Sequence, residues 1–544
     1  MFHSKWCFAP ENHYYCVLCR HRENITFARR NNTIFSQVIS KKTYRRWHKW
    51  LGVGFGFFLL LFALSGLVLN HRHSFGNMDL SRQWLSAGYQ FTNWNNGLLR
   101  GTLRLSADSI LVYGAGGVWL TDAHGQRFAD HTAGMGSGAD ARTIRNVVRT
   151  KRGELFACAP FDAYQWREGS WRRLAVGHAS TLHPTRFSDV TTRGDSVVFV
   201  GRDSLYVATP PYSYFQGVEL HAPAGYSKKV SLFRTLWLVH SGEIGGLMGK
   251  LVVDLVALLL AFLCLSGFVI WLLPKWIRRR CNKGMWQKGL RWHFRWHDRW
   301  GRYALPLLVF ITLTGFALRP PLLLAVVRIA TPPIPGSLLD SPNPWQDKLR
   351  ALRWDANRSD WLLSTSDGFY SLTDFRHQPV RETQAPAVSV MGVNVLTLSA
   401  DQQSWIVGSF AGLYCWHRGS GKAYDYFTHA PAPTRPTSPF GQTAVSGFSS
   451  DFGDDIVCTY DHGTDALRQP SWMARLPISL WQLALEVHTG RIYTFLGPVR
   501  LIYIFFASLL TLAILWSGWA IRKRKQGKKD MLGRCGEGCL GTQK

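Results

Sequence analysis

The sequence lacks the motifs of several large enzyme classes. It contains no Walker phosphate-binding loop and no HExxH zinc motif. It also has no GxGxxG stretch leading into a helix in its basic segments, and those segments are too short to hold a flavin or nucleotide domain. If the protein moves electrons, they must therefore come from a separate partner or from a membrane quinol.

Acidic residues are scarce, and cysteines are poorly placed for zinc. There are 34 Asp and Glu against 63 Lys and Arg, a formal charge of +29. A nucleic-acid partner would require this charge on a folded soluble face, whereas here it brackets apolar segments. Cys16-x-x-Cys19 and Cys535-x-x-x-Cys539 each lack a second pair nearby, so we expect neither nucleic-acid binding nor a zinc site.

Four apolar runs are long enough to cross a bilayer, which takes about 20 residues. They cover residues 50–70, 250–273, 303–318 with the apolar stretch that follows, and 499–521. The segments before the first run, between the second and third, and after the fourth are rich in Lys and Arg, which favours a cytoplasmic position for all three. The sequence therefore predicts a four-helix transmembrane bundle with both termini in the cytoplasm of a bacterial inner membrane and two large periplasmic segments.

The expected boundaries follow from these runs. They are a disordered cytoplasmic segment (1–46), transmembrane helix 1 (47–70), a β-rich extracytoplasmic segment (71–235), helix 2 (236–273), a basic cytoplasmic link (274–295), helix 3 (296–325), a second β-rich segment (326–480), helix 4 (481–521) and a basic tail (522–544).

The chain repeats itself after about 249 residues. WHKWLG at 47–52 matches WHDRWG at 296–301, and VHSG at 239–242 matches VHTG at 487–490. Small-Gly pairs inside the four spans follow the same offset. Each half therefore reads as a Trp-His start, a span, an outer segment, a Val-His-small-Gly start and a second span. Two such halves should pack about a pseudo-two-fold axis along the membrane normal.

The outer segments are predicted to be β-rich and propeller-like. Six stretches pair an apolar strand with an aromatic-bearing strand across a Gly/Asp turn, the signal of a β-hairpin. They cover 108–122, 153–166, 195–208, 359–374, 403–416 and 455–468. Three such units per half allow one six-bladed propeller-like cap or two separate small β-domains.

Four histidines occupy matching positions in the two halves. The repeat brings His48 towards His297 on the inner side and His240 towards His488 on the outer side. A single histidine beside Trp and Arg at a membrane edge is usually interfacial. Two facing pairs are instead typical of axial ligands to low-spin haem iron, so we predict two b-type haems held by these four residues.

Other residues are alternatives for the same site. His293 lies one turn before the predicted inner ligand of its helix, and His71 and His73 follow the first span at outer depth. Lys250 and Asp254 are four residues apart and are expected to pair. The basic residues that suit haem propionates, or that form a plain positive-inside collar, are Arg45, Arg46, Arg295 and Arg299.

These residues resemble those of the PepSY-associated transmembrane proteins. The resemblance rests on RRWHKWLGVGFGFFLLLFALSGLVLN (45–70), on VHSGEIGG (239–246), and on their repeated forms WHDRWGRY…LTG and VHTG…WSG. This family includes iron-regulated inner-membrane proteins and haem-containing reductases of iron–siderophore complexes. The resemblance implies haem at the four motif histidines and a role in iron uptake. The PepSY α/β module itself is not evident in either outer segment.

Three functions are compatible with the sequence. The first is a haem electron conduit of the type of a transmembrane ferric-siderophore reductase. It would take electrons from a cytoplasmic reductase or membrane quinol and reduce a periplasmic iron complex. An 18-residue helix spans roughly 27 Å, which sets the scale of the path between the two haems. The alternatives are a transporter component and a membrane-anchored β-domain that acts as a sensor or scaffold without haem.

Overall fold

The computed structural model describes residues 40–177, 184–278, 284–389, 391–434 and 444–521. The predicted disordered segment, apart from residues 40–46, and the whole of the predicted basic tail (522–544) lie outside these residues.

Nine α-helices are present in the described residues. Three of them are long, and the others are short or belong to a bent pair. The helices are α1 (Lys41–Asn70), α2 (Arg72–Phe75), α3 (Leu232–Ser241), α4 (Gly246–Ile277), α5 (Gly284–Tyr303), α6 (Leu305–Ala317), α7 (Leu322–Val326), α8 (Leu480–His488) and α9 (Tyr503–Ala520).

Three segments are long and apolar enough to cross a membrane, namely 41–70, 243–277 and 494–520. A fourth candidate is the pair α5 and α6, which is bent by 60°. Pro306 is the second residue of α6, and proline is tolerated in the first turn of a helix but not in its interior. The chain therefore starts a new helix here instead of extending α5.

The predicted second span is interrupted near its outer end. Gly242 ends α3 with a φ of +77°, in the left-handed region that favours glycine. A Cβ at Gly242 would overlap the carbonyl oxygen of Gly249, so only glycine fits this turn. The break separates the short helix that carries His240 from the long apolar helix α4.

The outer segments fold into six antiparallel sheets, all built by strands that follow one another in the chain. The first sheet contains β2 (Gly101–Arg104), β3 (Ile110–Gly114), β4 (Gly117–Thr121) and β5 (Phe128–Asp130); the second β6 (Asn146–Arg149), β7 (Leu155–Cys158), β8 (Ala163–Arg167) and β9 (Ser170–Leu174); the third β10 (Phe187–Arg193), β11 (Ser196–Gly201), β12 (Leu205–Ala208) and β13 (Gln216–Val218). The fourth contains β16 (Leu349–Asp355), β17 (Asp360–Thr365), β18 (Gly368–Leu372) and β19 (Val380–Arg381); the fifth β20 (Val395–Leu398), β21 (Trp405–Ser409), β22 (Gly412–His417) and β23 (Lys422–Asp425); the sixth β24 (Val445–Phe452) and β25 (Asp454–Thr459).

Two short ladders join the strands next to the helices. β1 (Asp79–Leu80) pairs with β26 (Ile478–Ser479), and β14 (Val230–Ser231) pairs with β15 (Ala330–Thr331). Each ladder joins the chain after one predicted span to the chain before another, so the ladders follow the internal repeat.

Apolar clusters lie between successive sheets. Phe156 of the second sheet packs with Phe199 of the third, and Trp361 of the fourth sheet shares a cluster with Val198 of the third. Ile456 of the sixth sheet belongs to one cluster with Trp119 of the first. The sheets of the two halves are therefore packed together, and the sixth sheet packs back against the first.

Five of the six predicted hairpins are confirmed by their strand pairing. The prediction for 455–468 is wrong, because β25 pairs with the preceding strand β24. The residues after β25 bind the first half instead: Asn93 donates a hydrogen bond to Asp465 at 2.8 Å, and the backbone N–H of Trp94 donates to Gln469 at 2.7 Å.

The chain divides into two compact units. One comprises residues 1–57, 263–309 and 509–544, and the other comprises 58–262 and 310–508. The first unit contains His48 and His297, and the second contains His240, His488 and the six sheets.

Candidate functional site

The second unit brings His240 and His488 together. The ring centroids of the two imidazoles are 6.2 Å apart, and their planes are inclined by 56°. His240 is in the last turn of α3 and His488 is the last residue of α8. The outer pair predicted from the repeat is therefore close in space.

The first unit brings His48 and His297 together with nearly the same spacing. Their ring centroids are 6.2 Å apart, with an interplanar angle of 70°. His48 lies in the second turn of α1 and His297 in the second half of α5. Each compact unit thus contains one complete pair of facing histidines.

Every one of these imidazoles contacts a hydroxyl residue on another helix. Nδ1 of His488 lies 3.0 Å from Oγ of Ser65, and Nδ1 of His240 lies 3.0 Å from Oγ1 of Thr314. In the inner pair, Nδ1 of His297 lies 2.8 Å from Oγ of Ser266. The four hydroxyl residues, Ser65, Thr314, Ser266 and Ser517, are all buried.

The contact of His48 differs in detail. Its Nδ1 lies 3.0 Å from the carbonyl oxygen of Ile514 and 3.4 Å from Oγ of Ser517. A carbonyl oxygen can only accept, so Nδ1 of His48 must carry the proton.

The hydroxyl contacts assign the same tautomer to the other three rings. Oγ of Ser65 donates its only proton to the carbonyl oxygen of Leu61 at 2.6 Å, so it accepts from Nδ1–H of His488. Ser266 and Thr314 likewise donate to carbonyls of their own helices, at 3.1 and 2.9 Å. With the proton on Nδ1, the lone pair of each imidazole is on Nε2, where a metal would bind.

A glycine follows each hydroxyl residue and makes room for the ring. A Cβ added at Gly315 would lie 2.9 Å from Cε1 of His240, closer than real Cβ contacts allow. At Gly518 it would lie 2.9 Å from Cε1 of His48. The spacing at Gly66 and Gly267 is looser, 3.5 and 3.6 Å from the corresponding histidine.

The small-Gly pairs are the part of the site that sequence analysis did not assign. They were visible as landmarks of the repeat, but nothing local to the sequence shows that LSG at 64–66 packs on a histidine 423 residues away. The repeat itself was the available signal, because histidines and small-Gly pairs share one offset.

The alternative ligands have other surroundings. His293 lies beside Trp292, with ring centroids 4.9 Å apart, and its Nδ1 is buried without a hydrogen-bond partner in the described residues. His73 is exposed. Nε2 of His71 is 2.8 Å from a carboxylate oxygen of Asp254, which also accepts from Asn70 at 2.9 Å.

The expected pairing of Lys250 with Asp254 is wrong. Lys250 forms an ion pair with Glu243 at 3.2 Å, while Asp254 is buried and bonded to Asn70 and His71. The turn at Gly242 places Glu243 next to the first turn of α4, which provides the nearer carboxylate.

The basic residues suggested for propionates remain at the surface. Arg299 stacks on Trp296 with its guanidinium carbon 5.3 Å from the ring centroid. A cation that sequence analysis missed is the half-buried Arg319, which acts electrostatically on His488. The four exposed residues are Arg45, Arg46, Arg295 and Arg299.

The donor set fits haem. A metal bond of about 2.0 Å to each of two opposed imidazole nitrogens would place the ring centres about 6 Å apart, and both pairs have this spacing. No group of three or more His, Cys, Asp or Glu side chains suited to a metal occurs among the described residues. Two facing imidazoles per site suit a metal whose remaining ligands come from a porphyrin.

The chain belongs to the PepSY-associated TM region family, which matches residues 45–525. It is thus a multi-pass membrane protein with large β-rich segments outside the spans. This particular chain has no match among curated proteins.

Two solved structures of the extracellular domain of BT4673 from B. thetaiotaomicron are similar to it at 10% identity. One describes that protein as a hybrid two-component system and the other as a one-component system. The TM-scores are 0.31 and 0.29, and each match covers 69% of this chain and 39% of the other, about two fifths of its length. TM-scores this low carry no argument about fold or function.

Proposed function

We propose that the protein is a haem-binding electron carrier of the bacterial inner membrane that reduces a ferric complex on the outer side. The observation that carries the proposal is the repeated site: two pairs of imidazoles at equal spacing, each ring oriented by a hydroxyl or carbonyl acceptor. Haem held by these two pairs of histidines would supply reversible one-electron chemistry.

The side chains of the site would act by holding and orienting. Ser65 and Thr314 fix the Nδ1–H tautomer of the outer imidazoles, as Ser266 does for the inner His297. The flanking glycines let each imidazole lie close against a neighbouring helix. The buried hydroxyls have their own protons bonded to backbone, so the polar atoms at the site are satisfied.

Electrons would pass from a cytoplasmic reductase or a membrane quinol to the inner pair and then to the outer pair. The acceptor would be a ferric siderophore or another ferric complex, reduced from Fe(III) to Fe(II) by one electron. The family resemblance and the two matched sites support this assignment. The substrate would meet the outer pair from the side of the six sheets. The histidine helices α3 and α8 follow directly on β14 and β26, the strands of the two short ladders.

We infer in addition that the six sheets form one six-bladed, propeller-like cap. Two features support this: sheets of both halves share apolar clusters, and the sixth sheet packs against the first. Such a ring has no long free sheet edge.

The first test is the reduced-minus-oxidised absorption spectrum of detergent-purified protein, with pyridine haemochrome quantitation. We expect sharp b-type bands at about two haems per chain. His240→Ala should remove one haem and His48→Ala the other. His293→Ala is the matched control within the inner site and should keep both.

The outcomes separate the candidate functions. A protein that stays colourless after expression with added haem would overturn the proposal. So would a full complement of haem in His240→Ala and His48→Ala. Reduction of a ferric chelate by reconstituted protein, lost in either variant but not in His293→Ala, would support the electron path.

A further inference from the structure

Arginines stand at the start of the first strand in four of the six sheets. Arg100, Arg145 and Arg186 immediately precede β2, β6 and β10. Arg350 is the second residue of β16. It lies where the pairing register between β16 and β17 shifts, so it has no partner residue in that ladder. In the sequence these positions read LLRG, TIRN, PTRF and KLRA.

These strand starts converge. Nε of Arg100 donates to the carbonyl oxygen of Arg145 at 2.9 Å. The guanidinium of Arg145 is within electrostatic range of Arg72 and Arg202 as well. Arg186 is likewise near Arg72 and Arg202.

A second group of arginines surrounds Asp347. Its carboxylate pairs with Arg202 at 2.9 Å and with Arg234 at 2.7 Å. Nη1 of Arg350 donates to the Asp347 carbonyl oxygen at 2.8 Å. The single carboxylate of Asp347 is therefore shared by two guanidinium groups, those of Arg202 and Arg234.

The positive charge of the cluster is not balanced by the described residues. Arg72 is matched by Asp140 at 2.7 Å. Arg145 and Arg186 have no carboxylate within ion-pair distance among the residues that the structure describes. Nε of Arg350 is buried without a hydrogen-bond partner there, although only 9% of this side chain is exposed. Arg186 is exposed, so a ligand from solvent can reach the cluster.

Burial adds to the cost of this charge. It lowers the pKa of Arg145 to about 9, a shift to which the neighbouring Arg100 and Arg72 also contribute. Guanidinium groups stay protonated in proteins. The lowered pKa of Arg145 therefore reflects mainly the lost hydration of its guanidinium, together with repulsion from neighbouring arginines, and a bound anion would offset both.

We propose that this cluster, the arginine mouth, binds a polyanionic ferric chelate, one whose iron is held by carboxylate or catecholate oxygens. The arginine mouth comprises Arg72, Arg100, Arg145, Arg186, Arg202 and Arg350. Guanidinium groups bind carboxylates in bidentate fashion, which a cationic or neutral chelate does not exploit.

The location suits an electron acceptor. Arg234, which shares Asp347 with Arg202, lies on α3, the helix that ends in the His240 region. Arg72 begins the helix next to the outer end of α1 and stacks on Trp481 of α8 at 3.9 Å. The inference rests on the proposed function for the identity of the ligand as an electron acceptor, but its test does not require haem.

The experiment is calorimetric titration of the full-length protein in detergent with gallium(III) citrate, a redox-inactive analogue of a ferric polycarboxylate. We expect binding, and a loss of affinity of roughly tenfold or more in Arg145→Gln with Arg186→Gln, because each charge-assisted hydrogen bond contributes about that much. The matched control is Arg167→Gln with Arg172→Gln, which likewise removes two charges, from exposed strand positions, and should leave the affinity unchanged.

Four further results decide the proposal. A gallium(III) trihydroxamate of positive net charge should bind weakly and respond little to the double substitution. Equal affinity of the parent and the double variant for gallium(III) citrate would overturn the inference, and so would metal-free citrate binding as tightly as the gallium complex. Gallium accepts no electron, so its binding tests the anion site alone. If gallium(III) citrate binds but the protein does not reduce the corresponding ferric chelate, the electron-transfer function is overturned while the anion site stands.

Discussion

Oγ of Ser65 lies 3.0 Å from Nδ1 of His488, although 423 residues separate them in the chain. The serine belongs to the first span and the histidine to the last helix before the fourth. The repeat provides the same relationship between Thr314 and His240, also at 3.0 Å. The first contact therefore joins the first span to the helix before the fourth, and the second joins the third span to the helix before the second.

The glycines beside the outer pair should differ in tolerance. Gly315→Ala would place Cβ 2.9 Å from the ring of His240, whereas Gly66→Ala would place it at an ordinary 3.5 Å from that of His488. We expect Gly315→Ala to destabilise the protein by about 1–3 kcal/mol through overpacking and to reduce haem content, with Gly66→Ala close to parent. Thermal unfolding and haem quantitation check this. Equal behaviour of the two variants would contradict the ring placement.

The hydroxyl of Thr314 should matter more than its methyl group. Thr314→Val keeps the shape but leaves Nδ1–H of His240 without its acceptor, at a cost of about 1–3 kcal/mol. Thr314→Ser retains the acceptor and is the control. The measurement is thermal stability together with the reduction potential of the outer haem. A Val variant indistinguishable from the Ser variant in both would show that the hydroxyl does not orient the ring.

His71 and His73 should not be haem ligands. The Nε2 of His71 is engaged by Asp254 at 2.8 Å, and His73 is exposed. We expect His71→Ala and His73→Ala to keep the full reduced-minus-oxidised spectrum while His240→Ala loses one component. Loss of a haem in His71→Ala, with His240→Ala unaffected, would reassign the outer ligand.

A buried charge network should stabilise the fourth and fifth sheets. The guanidinium of Arg418, 2% exposed, pairs with Asp355 at 2.6 Å, Asp360 at 2.8 Å and Glu382 at 2.7 Å. Arg418→Ala leaves the buried Asp355 without its cation and leaves Asp360 and Glu382 with only the half-exposed Arg358, which costs about 3–5 kcal/mol. Thermal unfolding should show a clear loss of stability. Arg376→Ala, at an exposed position, should change stability by less than about 0.5 kcal/mol, and a similar mild effect at Arg418 would contradict the network.

The thiols of Cys158 and Cys458 should be unreactive in the native protein. Both are fully buried, and burial raises the pKa of Cys458 to about 12 and that of Cys158 as well. Thiolate is the reactive form, so maleimide at pH 8 should leave both unlabelled until the protein is unfolded. Peptide mass spectrometry reports each site. Native labelling of Cys458 at the rate of the unfolded protein would contradict this packing.

Much of the site followed from the repeat. The pairing of His48 with His297 and of His240 with His488 was predicted only from the repeat offset of about 249 residues. Residues at this offset occupy equivalent positions in two halves related by a pseudo-two-fold axis, which brings them close together. The five confirmed hairpins followed from local signals, since alternating strands and Gly/Asp turns act over a few residues.

Other features depended on contacts that no local pattern contains. The segment after β25 has the sequence pattern of a hairpin strand. It instead forms hydrogen bonds with residues 93–94 of the first half and does not pair with β25 as predicted. The break at Gly242 and the bend before Pro306 interrupt apolar runs whose composition is that of a continuous span. The arginine mouth was also hidden, because its members are scattered from Arg72 to Arg350 and only the order of the sheets gathers them.

The hydrogen bond between Ser65 and His488 also constrains biosynthesis. The outer pair needs α8, and the inner pair needs Ile514 of α9 as the acceptor for His48. During translation the outer pair cannot have all its partners before His488 has been made, and the inner pair cannot before Ile514 of the last span has been made. A product truncated before residue 480 would therefore contain His48, His297 and His240 but would lack a partner in each pair, so any cofactor that the pairs hold would have to be loaded late in synthesis.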